Sequence, residues 1–362
     1  MTGSGTNGRP RIRGAGARRG AFSAAALSAI LAALILPAIA GAAYYKPPDG
    51  KIWSGVSDTG KLEDFNRFKE ATGKHPAILQ TFHSWGTKPG RAYNRWRAAR
   101  ARPVLHISTT EGYGGREEIS PRGIARGNGD DYLIRLNRFF GGEKKLIGYI
   151  RPLAEMNGYR NPYCAFNGNG TRRDGAHTTK QFKRAWRRIV IIIRGGGSTT
   201  TINRRLKAQD LPKLRPREES LDGYMEQAPV SFMWTPQYFG SPNVRGNQPP
   251  DYFPGKRWVD WVGTDFYSNY PFWKQFKQFY ARYDFKPFVI GEWGVTGHDQ
   301  PDFIAEFMNW VNASRKRVRM NLYYQGFNGD AYSPYRYPQS LSKLRSKLSI
   351  SRYPPFTPEY AP

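Results

Sequence analysis

The sequence predicts an α/β fold, specifically a single (β/α)8 or TIM barrel. From Lys51 onward, short apolar runs alternate with amphipathic segments, which is typical of strand–helix units in a parallel sheet. Eight apolar runs of strand type can be counted, which is the number of strands in such a barrel. The length of 362 residues also fits, because one barrel of about 250 residues with insertions is an ordinary use of such a chain.

The strands are predicted from apolar runs bounded by turn-forming residues. They cover residues 52–58, 76–84, 103–109, 146–155, 230–235, 258–267, 287–292 and 318–325. Helices are predicted at 61–72, 91–101, 129–140, 178–194, 271–283 and 301–316, where apolar residues recur at helical spacing. Residues 237–257 are rich in Pro, Gly and Asn, so the fifth gap predicts a loop or a short turn.

Two insertions interrupt this alternation. Residues 159–177 are rich in Gly, Asn and Arg and follow the fourth strand, where barrel loops build substrate clefts. Residues 195–227 have little apolar content and run from a helix into a strand, so we expect an exposed excursion on the opposite face. The predicted organisation is therefore an N-terminal segment at 1–43, one domain at 44–350 and a Pro-rich extended tail at 351–362.

The N-terminal segment predicts export. Five arginines in the first 20 residues precede an apolar run at 21–40, which ends in a small-x-small cleavage sequence at 38–40. We therefore expect a signal peptide and a secreted product. The run is also nearly long enough to span a bilayer, so the alternative is an uncleaved anchor through 21–43 that holds the protein at the outer face of the membrane. Cys164 is the single cysteine, which excludes an intramolecular disulfide.

The formal charge of the chain is +28, and the remainder still carries +23 once the five N-terminal arginines are set aside. This charge predicts attraction to polyanions such as an anionic cell-wall polymer or an acidic polysaccharide. No nucleic-acid motif is present, so no specific nucleic-acid partner is expected. Because the Lys and Arg residues are spread along the chain, a solvated basic surface is the alternative. No metal-ligand spacing or Gly-rich phosphate loop is found, so we expect no metal or cofactor. We also expect the protein to be a monomer.

Two stretches share a pattern that points to chemistry. In residues 146–158 and 285–294, an apolar run stops at a glutamate, Glu155 in the first and Glu292 in the second. The carboxyl ends of barrel strands are where such folds carry their active sites, and the fourth and seventh strands end across one cavity. Hydrolysis of a glycosidic bond with retention needs two carboxyl groups about 5–5.5 Å apart. The two glutamates are therefore predicted to act as a pair.

Five segments, in this order along the chain, resemble the signatures of glycoside hydrolase family 26. They are residues 151–158, 185–190, 232–237, 262–267 and 289–294, and the resemblance covers about 54–327. That family comprises mainly endo-β-1,4-mannanases, with relatives that act on mixed-linkage glucan and β-1,3-xylan. The resemblance implies a retaining glycosidase in which Glu155 is the acid/base and Glu292 the nucleophile. It further implies that Tyr267 hydrogen-bonds the nucleophile and that Trp234 stacks on a sugar.

The sequence also departs from the family pattern. Ala154 occupies the position where the family commonly has a His that recognises the sugar, and residues 323–327 lack the usual Trp of the last strand. β-Mannan is therefore the leading substrate, while mixed-linkage glucan, xylan or an acidic wall polysaccharide are alternatives. A carbohydrate-binding barrel with impaired catalysis is a further alternative, which the presence of both glutamates disfavours.

Other residues are predicted to line the cleft. Arg151 precedes Glu155 by four residues and so points to the same side of the strand, where it orients carboxylates or holds the barrel interior. Asp265 stands in the same relation to Tyr267, and function and structure are equally expected there. The predicted substrate-binding set is Tyr267, Trp234, Arg151, Asn157, His83, Trp85 and Trp293. Aromatic residues make up 15% of the chain, which suits stacking surfaces for sugars.

Overall fold

The computed structural model describes residues 45–112, 115–220, 223–327 and 329–362. In these residues, eight parallel strands close into a barrel with helices between them, which confirms the predicted (β/α)8 fold. The strands are β1 Trp53–Ser57, β2 Ile78–His83, β3 Arg102–Ile107, β4 Gly148–Pro152, β5 Val230–Trp234, β6 Trp261–Tyr267, β7 Phe288–Gly294 and β8 Val318–Tyr323. Their order around the barrel follows the chain, and β8 pairs with β1 in a register that joins Trp53 to Met320.

The helices lie between consecutive strands and after the last one. They are α1 Leu62–Thr72, α2 Gly90–Ala99, α3 Pro121–Arg126, α4 Asp130–Asn137, α5 Thr179–Arg194, α6 Thr199–Lys207, α7 Pro249–Tyr252, α8 Trp273–Arg282, α9 Pro301–Ala313 and α10 Pro338–Leu348. A π-helical turn, Arg138–Glu143, extends α4, and Lys256–Trp258, Pro334–Arg336 and Pro358–Tyr360 are 3-10 turns. Within the described residues, no helix is both long and apolar enough to cross a bilayer, and the apolar segment 21–43 lies outside them.

Three helices, α3, α6 and α10, had no counterpart in the prediction. In the insertion at 195–227, α6 is capped by Ser198, whose side chain accepts from the backbone N–H of Thr201 at 3.3 Å, and it buries Ile202 and Leu206 four residues apart. The Thr run there has low intrinsic helix propensity, so this cap and this apolar pair decide the structure. After β8, α10 buries Leu344 and Leu348 in the same way. The fifth gap holds only α7 and a 3-10 turn.

An apolar core fills the amino-terminal part of the barrel. Its inward side chains come from alternate positions of the strands and include Trp53, Tyr149 and Trp261. The rings of Tyr149 and Trp261 meet edge to face with centroids 5.6 Å apart. Below them, the carbonyl oxygen of Tyr45 accepts from the Tyr149 hydroxyl at 2.7 Å, and Arg102 pairs with Glu359 at 2.6 Å. The polar residues at the carboxyl-terminal end of the barrel therefore lie above an apolar core that fills the rest of its interior.

Candidate active site

Arg151 is the centre of the charged cluster at the carboxyl-terminal mouth of the barrel. Its side chain is fully buried, and its guanidinium donates to Glu292 through Nη1, to both carboxylate oxygens of Asp265 through Nη2 at 2.7 and 2.6 Å, and to Thr235 Oγ1 through Nε at 2.8 Å. Gly291 makes room for this pair, because a Cβ there would meet Asp265 Oδ1 at 2.7 Å and Arg151 Nε at 3.0 Å. The predicted inward orientation of Arg151 is therefore found, with strands β4, β6 and β7 joined by one cation.

Glu292 lies on β7 and faces into this mouth. Its carboxylate accepts from Arg151 and, through Oε2, from the Tyr267 hydroxyl at 2.8 Å. Tyr267 ends β6, two residues beyond Asp265, which pairs in register with Glu292 across a β-bulge. Burial and the charge of Glu292 raise the pKa of Tyr267 well above its ordinary value, so the phenol stays protonated and donates. Two donors thus face one carboxylate.

Glu155 lies three residues beyond β4, in an uncommon backbone conformation. Its φ is +51° and that of Leu153 is +50°, in the left-handed region that residues with a Cβ seldom adopt. Neighbouring strands hold this geometry, since the N–H of Glu155 donates to the Thr235 carbonyl at 2.8 Å and that of Leu153 donates to the Ile107 carbonyl at 2.8 Å. Each such residue costs on the order of 1–3 kcal/mol and is typical of functional sites.

The surroundings of the two glutamates differ. Burial raises the pKa of Glu155, and the charge of Glu292 raises it further, while Arg151 acts in the opposite sense. Burial also raises the pKa of Asp265, whose side chain faces Glu155. Asp265 accepts two hydrogen bonds from the buried guanidinium, which oppose this increase because they favour its charged form. Glu155, with a raised pKa, thus lies beside the Glu292 carboxylate, which accepts from two donors.

Asn157 does not reach the cleft and corrects one prediction. It is fully buried, and its amide is used within the protein, because Nδ2 donates to the Gln237 carbonyl at 2.9 Å and Oδ1 accepts from the Gln237 N–H at 2.8 Å. The loops after β4 and β5 are thereby fastened together. Gln237 was missed by the sequence reasoning, although its side chain faces the Glu155 carboxyl and lies over Gly158, where a Cβ would meet its amide nitrogen at 2.8 Å.

The predictions that Trp234 stacks on a sugar and that Trp293 binds substrate are wrong, because both side chains are buried. Trp234 is fully buried among Phe253, Phe279 and Tyr283, with ring centroids at 5.0, 6.3 and 5.1 Å. Trp293 is buried against Phe307 of α9 at 4.4 Å. Both side chains point outward from the barrel to the surrounding helices, because successive residues of a strand alternate between its two faces. Their role is packing of the helical layer.

His83 and Trp85 contact residues of the surrounding helices. His83 is buried at the end of β2, where burial and then the charge of Arg95 lower its pKa to about 4, so the imidazole is neutral at neutral pH. Arg95 belongs to α2, which places His83 on the helix side of the strand. Trp85 packs edge to face on Tyr132 of α4 at 5.0 Å and is partly exposed. His83 as a cleft donor is therefore a wrong prediction.

Tyr163 contacts the backbone of Ala154, the residue that stands where the resemblance implies a His. The Tyr163 hydroxyl donates to the Ala154 carbonyl at 2.7 Å, and this buried ring comes from the insertion after β4. Burial and the charge of Glu155 raise the pKa of Tyr163 well above its ordinary value, which places the phenol close to the acid/base candidate. The surroundings of Glu155 therefore differ from those implied by the family pattern.

An aromatic wall beside Glu292 was missed by the sequence reasoning. Phe82 of β2 is partly exposed and contacts His106 and Tyr324, with ring centroids at 5.2 and 5.9 Å. Tyr324 and Tyr332 lie 5.2 Å apart, and Tyr332 lies 5.2 Å from Tyr267. The signal was the strand alternation, since Phe82 is the neighbour of an outward His83. Among the described residues, no group of three or more His, Cys, Asp or Glu side chains could hold a metal ion.

Comparisons with known proteins show the fold. No protein-family model matches this chain, and neither does any curated protein sequence. Among solved structures, GH26A from Muricauda sp. matches with a TM-score of 0.52 and 17% identity over 86% of this chain and 93% of that one. The mannanase man26 of Bacillus subtilis matches with a TM-score of 0.51 and 14% identity over 90% and 92% of the two chains. The GH26 β-mannanase BoMan26A of Bacteroides ovatus matches with a TM-score of 0.51 and 13% identity over 85% and 91%. The chain thus has a GH26-like (β/α)8 barrel.

Proposed function

We propose that this protein is a retaining glycoside hydrolase that cleaves a β-linked polysaccharide, with Glu155 as the acid/base and Glu292 as the nucleophile. The observation that carries the proposal is the arrangement of two glutamates around one buried guanidinium. Arg151 and Tyr267 donate to Glu292, while burial and the charge of Glu292 raise the pKa of Glu155. Pairs of carboxyl groups whose environments differ in this way perform acid and nucleophile roles in glycoside hydrolysis.

In the first step, a carboxylate oxygen of Glu292 attacks the anomeric carbon while the bond to the leaving oxygen breaks. Glu155 gives its proton to that oxygen. Arg151 and Tyr267 keep the Glu292 carboxylate oriented, since both donate to it. Asp265 fixes the guanidinium from the other side. The product of this step is a glycosyl ester on Glu292 and an ionised Glu155.

In the second step, Glu155 takes a proton from water, and the resulting hydroxide equivalent attacks the anomeric carbon and releases Glu292. Ester formation removes the charge of Glu292, which is one of the two causes that raise the pKa of Glu155. The pKa of Glu155 is therefore lower in the ester than in the resting site, so the same residue serves as an acid first and as a base afterwards.

β-Mannan is the substrate we propose first, because the structural neighbours from Bacillus subtilis and Bacteroides ovatus are described as mannanases. Mixed-linkage glucan, xylan and an acidic wall polysaccharide are included because Ala154 stands where the resemblance led us to expect a sugar-binding His, and because the chain is strongly basic. The predicted export signal places the proposed reaction outside the cytoplasm.

The test is an activity panel with matched variants. The full chain is incubated with mannan, glucomannan, mixed-linkage glucan, xylan and acidic wall polymers, and released reducing ends are measured. Glu292→Gln should lower kcat by about 10³-fold or more, whereas Glu155→Ala should keep activity on substrates with good leaving groups, because only proton donation is lost. Glu306→Gln, a change at an exposed glutamate of α9, is the control and should leave activity unchanged.

The stereochemistry of the first product provides an independent check. Proton NMR should show the β-anomer, since double displacement retains configuration. Inversion, or full activity of Glu292→Gln, would contradict the mechanism. Binding of a polymer without cleavage by the parent chain would instead indicate a carbohydrate-binding barrel.

A further inference from the structure

Exposed aromatic side chains concentrate at the mouth that holds the two glutamates. Among the described residues, seven large apolar side chains are exposed, and five of these belong to or follow the carboxyl ends of barrel strands. These five are Phe82, Tyr159, Tyr270, Phe272 and Phe327. All are aromatic, whereas an even distribution would also place them among the helices. Exposed apolar groups gathered on one face mark a binding surface.

Tyr270 and Phe272 form the most defined pair in this group. They lie in the loop after β6, are 62% and 44% exposed, and have nearly parallel rings, with an interplanar angle of 22° and centroids 6.4 Å apart. Phe272 rests edge to face on Phe239 at 5.6 Å, and the Tyr238 hydroxyl donates to the Tyr270 carbonyl at 2.7 Å. The two rings are therefore held in place from below while they stay open to solvent.

The supporting residues connect this pair to the acid/base candidate. Tyr238 directly follows Gln237, whose side chain faces the Glu155 carboxyl. Burial raises the pKa of Tyr238 to about 12, and the charge of Glu155 contributes to the increase. The pair therefore rests on the loop after β5, which reaches Glu155 through Gln237, while Tyr267, Tyr324 and Tyr332 form the wall beside Glu292. An acid/base must face the leaving oxygen, so this is the side of the departing chain.

We propose that Tyr270 and Phe272 form a sugar-stacking platform that binds the leaving-group side of a β-linked polysaccharide chain. The inference rests on the proposed function. Rigid aromatic rings bind the apolar faces of sugars at little entropic cost, and a platform remote from the reacting bond makes the enzyme prefer a polymer over a short substrate. Residues 237–239 connect the pair to Glu155, because Phe239 and Tyr238 contact it and the Gln237 side chain faces the Glu155 carboxyl.

The test compares the double variant Tyr270→Ala/Phe272→Ala with Tyr224→Ala in the full chain. Tyr224 is also 62% exposed, but it precedes β5 and therefore lies at the opposite mouth of the barrel. On the polymer that the parent cleaves, the double variant should lose about 5- to 100-fold in kcat/KM, given two aromatic contacts of ordinary strength. Activity on a glycosyl fluoride of the same sugar should stay within twofold, because its one-atom leaving group cannot reach the platform.

Polymer binding is measured separately in a Glu292→Gln background by affinity electrophoresis. Weaker polymer binding by the double variant, with unchanged binding by Tyr224→Ala, supports the platform. If the parent binds but cleaves no polymer, the proposed function fails while this binding result still supports the platform. Equal polymer binding by the double variant and its parent would overturn the platform. An equal loss on polymer and fluoride would also overturn it, since that result indicates general damage to the site.

Discussion

Replacement of Arg151 by Met should destabilise the barrel in a strongly pH-dependent way. The side chain is fully buried and neutralises two carboxylates, Asp265 and Glu292. Removal of one partner from a buried ion pair costs about 3–5 kcal/mol, because the remaining charge is left uncompensated. With two carboxylates left behind, we expect the upper end of that range at neutral pH. Total stabilities of about 5–15 kcal/mol make this a large fraction.

The pH dependence follows from the direction of the pKa shifts. Burial already raises the pKa of Asp265 and Glu155, and Arg151 opposes the increase at both. In Arg151→Met, both pKa values rise further above those of the unfolded chain. Stability contributed by such groups is present below their unfolded pKa and is lost as pH rises through the folded pKa. The variant should therefore lie closest to the parent at acid pH and should fall furthest behind it at neutral pH.

Urea unfolding followed by tryptophan fluorescence at pH 5 and pH 7.5 measures this difference. Arg194→Met provides the control, because Arg194 is also buried but pairs with a single carboxylate, Asp260, outside the site. It should lose less stability and keep its activity. A loss of less than about 0.5 kcal/mol in Arg151→Met at pH 7.5, the size of an ordinary surface substitution, would refute the argument that the guanidinium stabilises these acids.

Three further predictions concern catalysis and packing. Tyr267→Phe removes the hydroxyl that donates to Glu292 at 2.8 Å, and a hydrogen bond to a charged group contributes about 1.5–3 kcal/mol, so kcat/KM should fall about 10- to 150-fold on the cleaved polymer. An unchanged rate would show that the phenol does not assist the nucleophile. Because Glu155 must be protonated to act as the acid and its pKa is raised, kcat/KM should decrease on the alkaline side at a pH above the ordinary range for Glu, and Glu155→Gln should abolish this decrease in a pH–rate profile. Trp293→Ala should lower the free energy of unfolding by about 3–5 kcal/mol and leave KM within twofold, whereas a tenfold higher KM would restore Trp293 as a sugar contact.

The barrel could be predicted because its signal is repeated eight times. Each strand is an apolar run whose length and termination are local properties, so an error in one unit leaves the architecture unchanged. The glutamates were found for the same reason, since each one ends such a run. By contrast, α6 depends on one cap and two buried apolar residues within a polar insertion, a pattern too short to stand out. Gln237 and Tyr163 reach Glu155 only through loop conformations, for which the sequence carries no periodic signal.

Strand alternation could have corrected the aromatic assignments from sequence alone. If Glu292 faces the cavity, then Trp293 faces the helices, and the same argument places Phe82 inside when His83 is outside. Trp234 lies between Met233 of the barrel core and Thr235, which bonds Arg151, and so it also points outward. The aromatic side chains suggested stacking surfaces. Which rings could reach a sugar was decided by whether each residue occupies an inward or an outward position of its strand.

The alternation is interrupted at the β-bulge before Glu292, and it fails again at Glu155. A regular strand would put residues 151, 153 and 155 on one face, yet Leu153 and Glu155 both adopt positive φ and so leave the strand conformation. The backbone bonds to β3 and to the residue after β5 supply the constraint that such strain requires. The carboxyl is thus turned toward Arg151 and Asp265 by its neighbours rather than by its own strand. The orientation of the Glu155 carboxyl therefore depends on the closed barrel, which explains why sequence identifies the residue but not its orientation.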